Sequence, residues 1–340
     1  PRLYSNVPVG VNFVSLGYAN SQGEVTFDSS VPIDDAEGDI DSLVLSYSRG
    51  MQIAGKSALL SIALPYVDLG LAGLLYGEPA SGRRKGFGDP RIRLAMNFHG
   101  APATKLKDYS SYQQKTIVGA SVSVGMPFGR YIDEKLLNIG TNRWNVVAQV
   151  GLSHRVKSFT FESAVGVSLF TDNDDVAGDR RLEQDPIGLW RGTLLYHFPK
   201  GSWIGTGFVY SNGGRTTLDG VKRDDQQDNW RTGLTFSYPL LRGHNVQLRV
   251  TEGLVARTGA DFRTYSASYT YTFLVEKHFK RMHSGGLQGG GVSSCLRCST
   301  DHACLSLGER LTPVQGSPFC QDRHPACAEC YMRWQRENRS

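Results

Sequence analysis

Cysteine is absent from the first 294 residues of this 340-residue chain, and all six cysteines lie at Cys295 or beyond. A protein that crosses an oxidising compartment without forming disulfides is expected to have this distribution. The chain also lacks an uninterrupted apolar run of the roughly 20 residues that a transmembrane helix requires. The best candidate, Ala58 to Tyr76, is interrupted by Pro65 and Asp68. This absence excludes helical spans but not a transmembrane β-barrel, which produces no such run.

Charge is also scarce and evenly spread. Charged residues make up 20% of the chain, the formal net charge is +5, and basic residues are not clustered before residue 274. These features argue against a nucleic-acid partner. The chain starts at Pro1 without the basic and apolar regions of an export signal. We therefore expect that a signal was removed or that the sequence is incomplete at this end.

Apolar and polar residues alternate clearly between Lys115 and Leu169. Side chains alternate across a β-strand, so a period of two predicts strands with one apolar and one polar face. In one run the apolar face holds Trp144, Val146, Ala148, Val150 and Leu152, and the polar face holds Arg143, Asn145, Gln149, Ser153 and Arg155. Such strands form either a soluble sheet with one wet face or a membrane barrel with a wet lumen.

The spacing of the runs favours the barrel. About twelve runs of about ten residues occur, a length that spans a bilayer when the strand is tilted. The connections after odd-numbered runs are long, at 19–39, 65–86, 126–142, 170–187 and 211–228, and those after even-numbered runs are mostly short, near 50, 156, 200 and 240. The segment from His99 to Gln114 is the exception. We predict an all-β, transmembrane, antiparallel up-and-down β-barrel of about 12 strands with long extracellular loops and both barrel ends in the periplasm.

The segment between the two clearest runs also carries a family resemblance. It contains Pro127, Gly129, Tyr131, Asn138, Gly140, Asn142, Arg143 and Trp144 in a characteristic order. Later segments follow in the expected order and contain Asp172, Asn173, Gln184, Asp185, Pro186, Gly213 and Gly214. From about residue 4 to Phe273 the chain resembles the meta-pathway of phenol degradation family of outer-membrane proteins.

The resemblance implies an exported, transporter-like barrel in the Gram-negative outer membrane, often encoded near genes for aromatic catabolism. Its expected partners are outer-membrane lipid, small organic or aromatic solutes, and the barrel-assembly machinery. That machinery is implied because such a barrel ends on an aromatic residue, which here is Phe273, in a closing strand that also contains Tyr269 and Tyr271. The motif residues are expected to have structural roles, with Asn138, Asn142 and Arg143 fixing the entry of a loop into a strand.

The polar faces supply the candidate functional residues. If the apolar faces meet lipid, the residues predicted to line the lumen are Arg91, Arg93, Arg143, Arg155, Glu162, Arg191, Arg231 and Arg249. Arginine in a confined lumen attracts carboxylates or phenolates and can stack on an aromatic ring. The alternative is that these are ordinary lumen residues that pair with Glu162 and with loop acids.

The sequence contains candidates for two other kinds of site, a cation site and a catalytic site. The acidic loop clusters, such as Asp172 to Asp175, either bind a divalent cation or form solvated turns, and turns are favoured. An enzyme of this class would need a nucleophilic serine beside a histidine on the outer wall. His154 and His197 are both predicted on the polar face, and neither lies in a nucleophile motif. We therefore expect no catalytic residues and no cofactor.

The last part of the chain departs from the family. Residues 1–274 are predicted to form the barrel, and residues 275–340 a basic, Gly/Ser-rich linker and a cysteine-containing tail. Cys295, Cys298, Cys327 and Cys330 resemble paired zinc ligands, although periplasmic thiols tend to oxidise. A disordered or non-native extension is the favoured interpretation, and a small metal or disulfide module is the alternative.

The predicted barrel and the family resemblance leave two alternative functions. The first is passive outer-membrane uptake of small hydrophobic or aromatic compounds. The second is a non-transporting barrel whose extracellular loops bind a partner or a surface polymer.

Overall fold

The computed structural model describes residues 4–26, 33–75, 77–135 and 137–274. These residues form β-strands and two short 3-10 turns, Leu106–Ser111 and Pro199–Gly201. No helix in the described residues is long and apolar enough to cross a membrane. In chain order the strands are β1 Val11–Thr26, β2 Ile33–Ile53, β3 Lys56–Leu75, β4 Glu78–Phe87, β5 Arg91–His99, β6 Thr116–Gly125, β7 Asn145–Val156, β8 Phe159–Phe170, β9 Asn173–Val176, β10 Arg180–Gln184, β11 Ile187–His197, β12 Trp203–Gly213, β13 Thr216–Leu218, β14 Val221–Lys222, β15 Gln227–Leu241, β16 His244–Val255 and β17 Gly259–Leu274.

Twelve of the described strands close into an antiparallel barrel, which confirms the predicted fold class. Each strand pairs with its neighbours, and β1 pairs with β17 from Val11 opposite Leu274 to Thr26 opposite Gly259. The thirteenth strand of this sheet, β4, pairs with the last part of β3 beside β5. We call the end where β1 begins and β17 finishes the terminal end, and the opposite end the loop end.

The predicted alternation sets the two faces of the wall. Leu16, Leu45, Val150 and Val165 are among the exposed apolar residues on the outer face. Exposed aromatic residues border this apolar band toward the loop end at Tyr18, Tyr66, Phe87, Trp144, Trp190, Trp230 and Tyr265, and toward the terminal end at Tyr47, Phe98, Phe159, Phe198, Tyr238 and Tyr271. An apolar band between two aromatic girdles is the outer surface of a transmembrane barrel.

Some predicted loops and turns are wrong. Most of 19–39 belongs to β1 and β2, and most of 65–86 belongs to β3 and β4. Polar composition does not end β1 here, because Asn20 donates side-chain hydrogen bonds of 3.1 Å to both Asp39 and Asp41 of β2. The short turn predicted near residue 50 lies instead at Ala54 and Gly55, between β2 and β3, where φ is positive.

The loop end carries a small second sheet of β9, β10, β13 and β14. Arg181 approaches Asp172 at 2.5 Å and Asp174 at 3.6 Å, and Arg180 approaches Asp219 at 2.9 Å. The hydrogen bond from Arg180 and the backbone amide of Arg181 lower the pKa of Asp219. These contacts favour the interpretation that the acidic side chains stabilise the loops rather than bind a cation.

The described residues end at Leu274, so the predicted domain boundary after this residue stays a prediction. The linker and the candidate ligands Cys295, Cys298, Cys327 and Cys330 lie outside the described residues, so they remain predictions.

Candidate functional site

The segment before β1 enters the lumen. Tyr4 is only 1% exposed and packs with Ala101, Ile117 and Ala164. Its ring fits against glycines on the inner face of β6 and β7. A Cβ atom at Gly119 would lie 2.7 Å from the ring, and one at Gly151 would lie 2.5 Å from it. Those glycines therefore provide the space that Tyr4 occupies.

Hydrogen bonds attach this segment to the barrel. The amide of Val7 donates to Ser57 Oγ at 3.2 Å, and Asn97 Nδ2 donates to the carbonyl of Ser5 at 3.1 Å. Tyr109, in the long connection between β5 and β6, donates its hydroxyl to the carbonyl of Asn6 at 2.9 Å. The segment therefore fills the part of the lumen beside β3 and β5–β8. The sequence did not predict that the segment before β1 enters the lumen, because its residues show no periodic pattern.

The opposite part of the wall encloses a cavity of about 280 Å³. It lies on β11, β12, β15 and β16, and its inner-face residues include Arg191, Thr193, Arg231, Thr235, Arg249 and Thr251. A second cavity of about 170 Å³ shares Arg231 and extends toward the loop end past Asn229 and Thr258. A larger concavity of about 1130 Å³ is lined by outward-facing residues such as Gln22, Asp39 and Arg83, so it lies outside the lumen.

The arginines at the cavity have neutral hydrogen-bond acceptors. Arg249 donates from Nε to Thr235 Oγ1 at 3.3 Å and from Nη2 to Gln247 Oε1 at 3.4 Å. Arg231 donates from Nη2 to the carbonyl of Phe262 at 3.2 Å. Its buried Nε has no hydrogen-bond partner among the described residues. Arg191 lines the same cavity as Arg249, and it lies two positions from Thr193, which is opposite Glu162 of β8.

The other predicted lumen residues are spread along the inner wall. Arg93 lies on β5 and donates to Ser121 Oγ at 3.2 Å. Arg91 is exposed at the loop end of the same strand. Arg155 is exposed at the terminal end and donates to the carbonyl of Lys157, in its own turn, at 3.3 Å. Glu162 is 7% exposed on the inner face of β8. The structure thus brings Arg191, Arg231 and Arg249 together at the cavity.

Arg143 belongs to the loop-end network instead. Its Nη2 donates to Gln184 Oε1 at 2.6 Å, and its guanidinium lies 4.6 Å from the centre of the Phe170 ring. Gln184 Nε2 in turn donates to the carbonyl of Gly214 at 2.8 Å. Arg143 therefore connects the entry of β7 to the second sheet.

The other motif residues form the same network. Asp89 accepts hydrogen bonds from the amides of Gly129 and Thr141, each at 2.9 Å. Asn142, at a positive φ of 53°, donates to Asn173 Oδ1 at 2.9 Å. The family residues Pro127, Tyr131, Asn138, Gly140, Trp144, Asp172, Asp185, Pro186 and Gly213 lie in or beside these loop-end segments. Gly129, Thr141 and Asn142 thus hydrogen-bond to residues of neighbouring loop-end segments.

Of the two histidines predicted on the polar face, His197 lies there and His154 does not. His197 lies on the inner face, where its Nε2 is 3.0 Å from Thr160 Oγ1. His154 lies on the outer face with Leu152, and its Nδ1 is 2.8 Å from Thr116 Oγ1. His154 is one position before Arg155, so the alternation of side chains places it on the opposite face of β7 from Arg155.

The N-terminal segment supplies a first prediction. Tyr4→Ala is expected to raise single-channel ion conductance at least about twofold, because it removes the buried side chain that fills the narrowed lumen. Tyr238→Ala, on the outer face, is the matched control and leaves conductance unchanged. Equal conductance in the Tyr4→Ala variant and the unsubstituted protein would show that the ion path bypasses this segment.

One protein family and several solved structures are similar to this chain. The model of the family described as "Putative MetA-pathway of phenol degradation" matches residues 19–271. The COG4313 outer membrane channel from Pseudomonas putida F1 is similar in structure, with a TM-score of 0.69, 20% sequence identity, and coverage of 80% of this chain and 99% of that chain. The transport unit of the autotransporter AIDA-I from Escherichia coli has a TM-score of 0.49, 7% identity, and coverage of 80% and 93%. No curated protein sequence matches this chain.

Proposed function

This chain belongs to the MetA-pathway of phenol degradation family of outer-membrane channels, and on that premise we propose that it admits small hydrophobic or aromatic molecules by passive diffusion. The loop end faces the cell exterior and the terminal end faces the periplasm. The second sheet and the motif network shape the outer mouth, and the solute passes along the wall opposite the N-terminal segment.

The observation that carries this proposal is the pair of cavities sharing Arg231 inside an otherwise narrowed lumen. Their volumes of about 280 Å³ and about 170 Å³ suit a solute of one aromatic ring better than an oligosaccharide. Passage of the solute requires no energy source in this proposal, because a barrel with a polar lumen supports diffusion of the solute down its concentration gradient.

Solute entry into proteoliposomes tests the proposal. Benzamide, benzoate and arabinose are similar in size, and protein-free liposomes measure leakage through lipid. We expect both aromatic solutes to enter faster than arabinose through the protein. Arabinose entering as fast as benzamide would contradict selection for aromatic solutes. Entry of none of the three would favour the rival function, a barrel that displays loops to a partner or surface polymer.

A further inference from the structure

We propose that Arg191, Arg231 and Arg249, with the hydroxyls of Thr193, Thr235 and Thr251, form a binding site for the carboxylate of a small aromatic acid. The site lies in the 280 Å³ cavity of the lumen. This inference rests on the proposed function and narrows its solute class from aromatic molecules to aromatic carboxylic acids.

Strand register brings the three cations to one place. Arg191 on β11 and Arg231 on β15 both lie opposite Val209 of β12, which runs between them. Arg249 on β16 lies opposite Thr235, four positions farther along β15. Side chains two or four positions apart share a face of a strand, so all three guanidinium groups project into the same part of the lumen.

Glycines keep the floor of this site open. Gly205, Gly207 and Gly233 line the cavity between the arginine-bearing positions. A Cβ atom at Gly233 would lie 2.8 Å from Thr251 Cγ2, and one at Gly207 would lie 3.2 Å from Thr193 Oγ1. Side chains at these positions would push the threonines into the cavity. The space between the arginines is therefore maintained by the backbone itself.

The charges are incompletely matched by the protein. The neighbouring carboxylate is Glu162 on the inner face of β8, opposite Thr193, which is two positions from Arg191. Three guanidinium groups therefore face one carboxylate. Arg231 and Arg249 instead donate to a carbonyl, a hydroxyl and an amide oxygen. A cation withdrawn from water is costly unless an anion or strong acceptors replace the lost hydration. The buried, unpartnered Nε of Arg231 is a donor that such an anion can satisfy.

The chemistry of the site selects a carboxylate attached to a flat apolar group. Guanidinium groups bind carboxylates through two parallel hydrogen bonds, and threonine hydroxyls add further donors. The face of a second guanidinium can stack on an aromatic ring, and Val209 supplies an apolar contact. A cavity of about 280 Å³ lies near the lower end of ligand sites, roughly 300–1,000 Å³, and so accommodates one ring.

Calorimetric titration of the purified full chain in neutral detergent with benzoate tests the site directly. Benzamide has the same shape without the charge and is the matched ligand control. We expect benzoate to bind, benzamide to bind at least about tenfold more weakly, and Arg231→Gln to weaken benzoate binding about tenfold, which corresponds to one charge-assisted hydrogen bond. Replacing all three arginines with glutamine is expected to abolish benzoate binding.

Arg263→Gln is the matched protein control, because Arg263 lies on the outer face of β17 and pairs with Glu252. It is expected to bind benzoate as the unsubstituted protein does. Heat-modifiable gel mobility verifies that each variant is folded, and the single variants keep the test decisive if the triple variant fails to fold.

No benzoate binding, or equal binding of benzoate by the control and the Arg231→Gln variant, overturns the site. Failure of the proposed function has a different signature. Benzoate would then bind in detergent, but neither benzoate nor benzamide would enter proteoliposomes.

Discussion

Removing residues 265–340 is expected to abolish barrel formation, whereas removing only residues 275–340 is expected to leave a folded barrel. The reason is that β17 closes the barrel. β17 pairs with β1 along its full length and with β16 from Thr264 to Tyr271. Loss of its residues from Tyr265 to Leu274 would leave the facing parts of β1 and β16 unpaired in lipid, where each unsatisfied backbone group costs several kcal/mol. Refolding into detergent followed by heat-modifiable gel mobility measures the outcome.

The shorter truncation is the control, and it also tests the domain boundary. It ends after Leu274 and places Phe273 next to the new terminus, where we propose that the barrel-assembly machinery reads it. We expect insertion in cells to be at least as efficient as for the full chain. Loss of the barrel after this truncation would mean that the cysteine-containing tail is part of the folded structure.

Val150→Arg is expected to destabilise the folded barrel by about 2–4 kcal/mol, the cost of placing arginine on a lipid face near the bilayer midplane. Val150 lies at the middle of β7, is 48% exposed on the outer face, and pairs with Ala120 and Val165 of the neighbouring strands. The free energy of unfolding in lipid vesicles, measured by denaturant titration, gives the magnitude.

Gln149→Arg is the matched control, because residue 149 neighbours Val150 and projects to the inner face. The same charge is introduced there into a wet lumen, and we expect a change well below that of Val150→Arg. Similar losses of stability in the two variants would contradict the assignment of lipid-facing and lumen-facing sides.

Local alternation was sufficient to predict the barrel wall. The faces assigned to Trp144, Val150 and Leu152 are those of the structure, because burial on one side of a strand forces a period of two. The extended ends of β1 and β2 were not predictable in this way. Beyond the lipid both faces are polar, and pairing there depends on cross-strand contacts such as Asn20 with Asp39.

The candidate site was predictable only in part. Parity placed Arg191, Arg231 and Arg249 on the inner face, but alternation within one strand does not reveal which strands share a cavity. That depends on register and on the space left by the N-terminal segment. No sequence pattern predicted the position of Tyr4 in the lumen. Its ring packs against Gly119 and Gly151, which lie far away in the chain.

Solutes are proposed to cross the lumen along β11, β12, β15 and β16. This path is tested most directly by current through single channels of the full chain, with its six cysteines replaced by serine and Thr251→Cys added. Thr251 lines the cavity, whereas Leu248 is exposed on the outer face of the same strand. We predict that a negatively charged methanethiosulfonate reagent reduces the current of Thr251→Cys channels and leaves Leu248→Cys channels unchanged. Absence of any current, or an unchanged current after modification at position 251, would contradict the account.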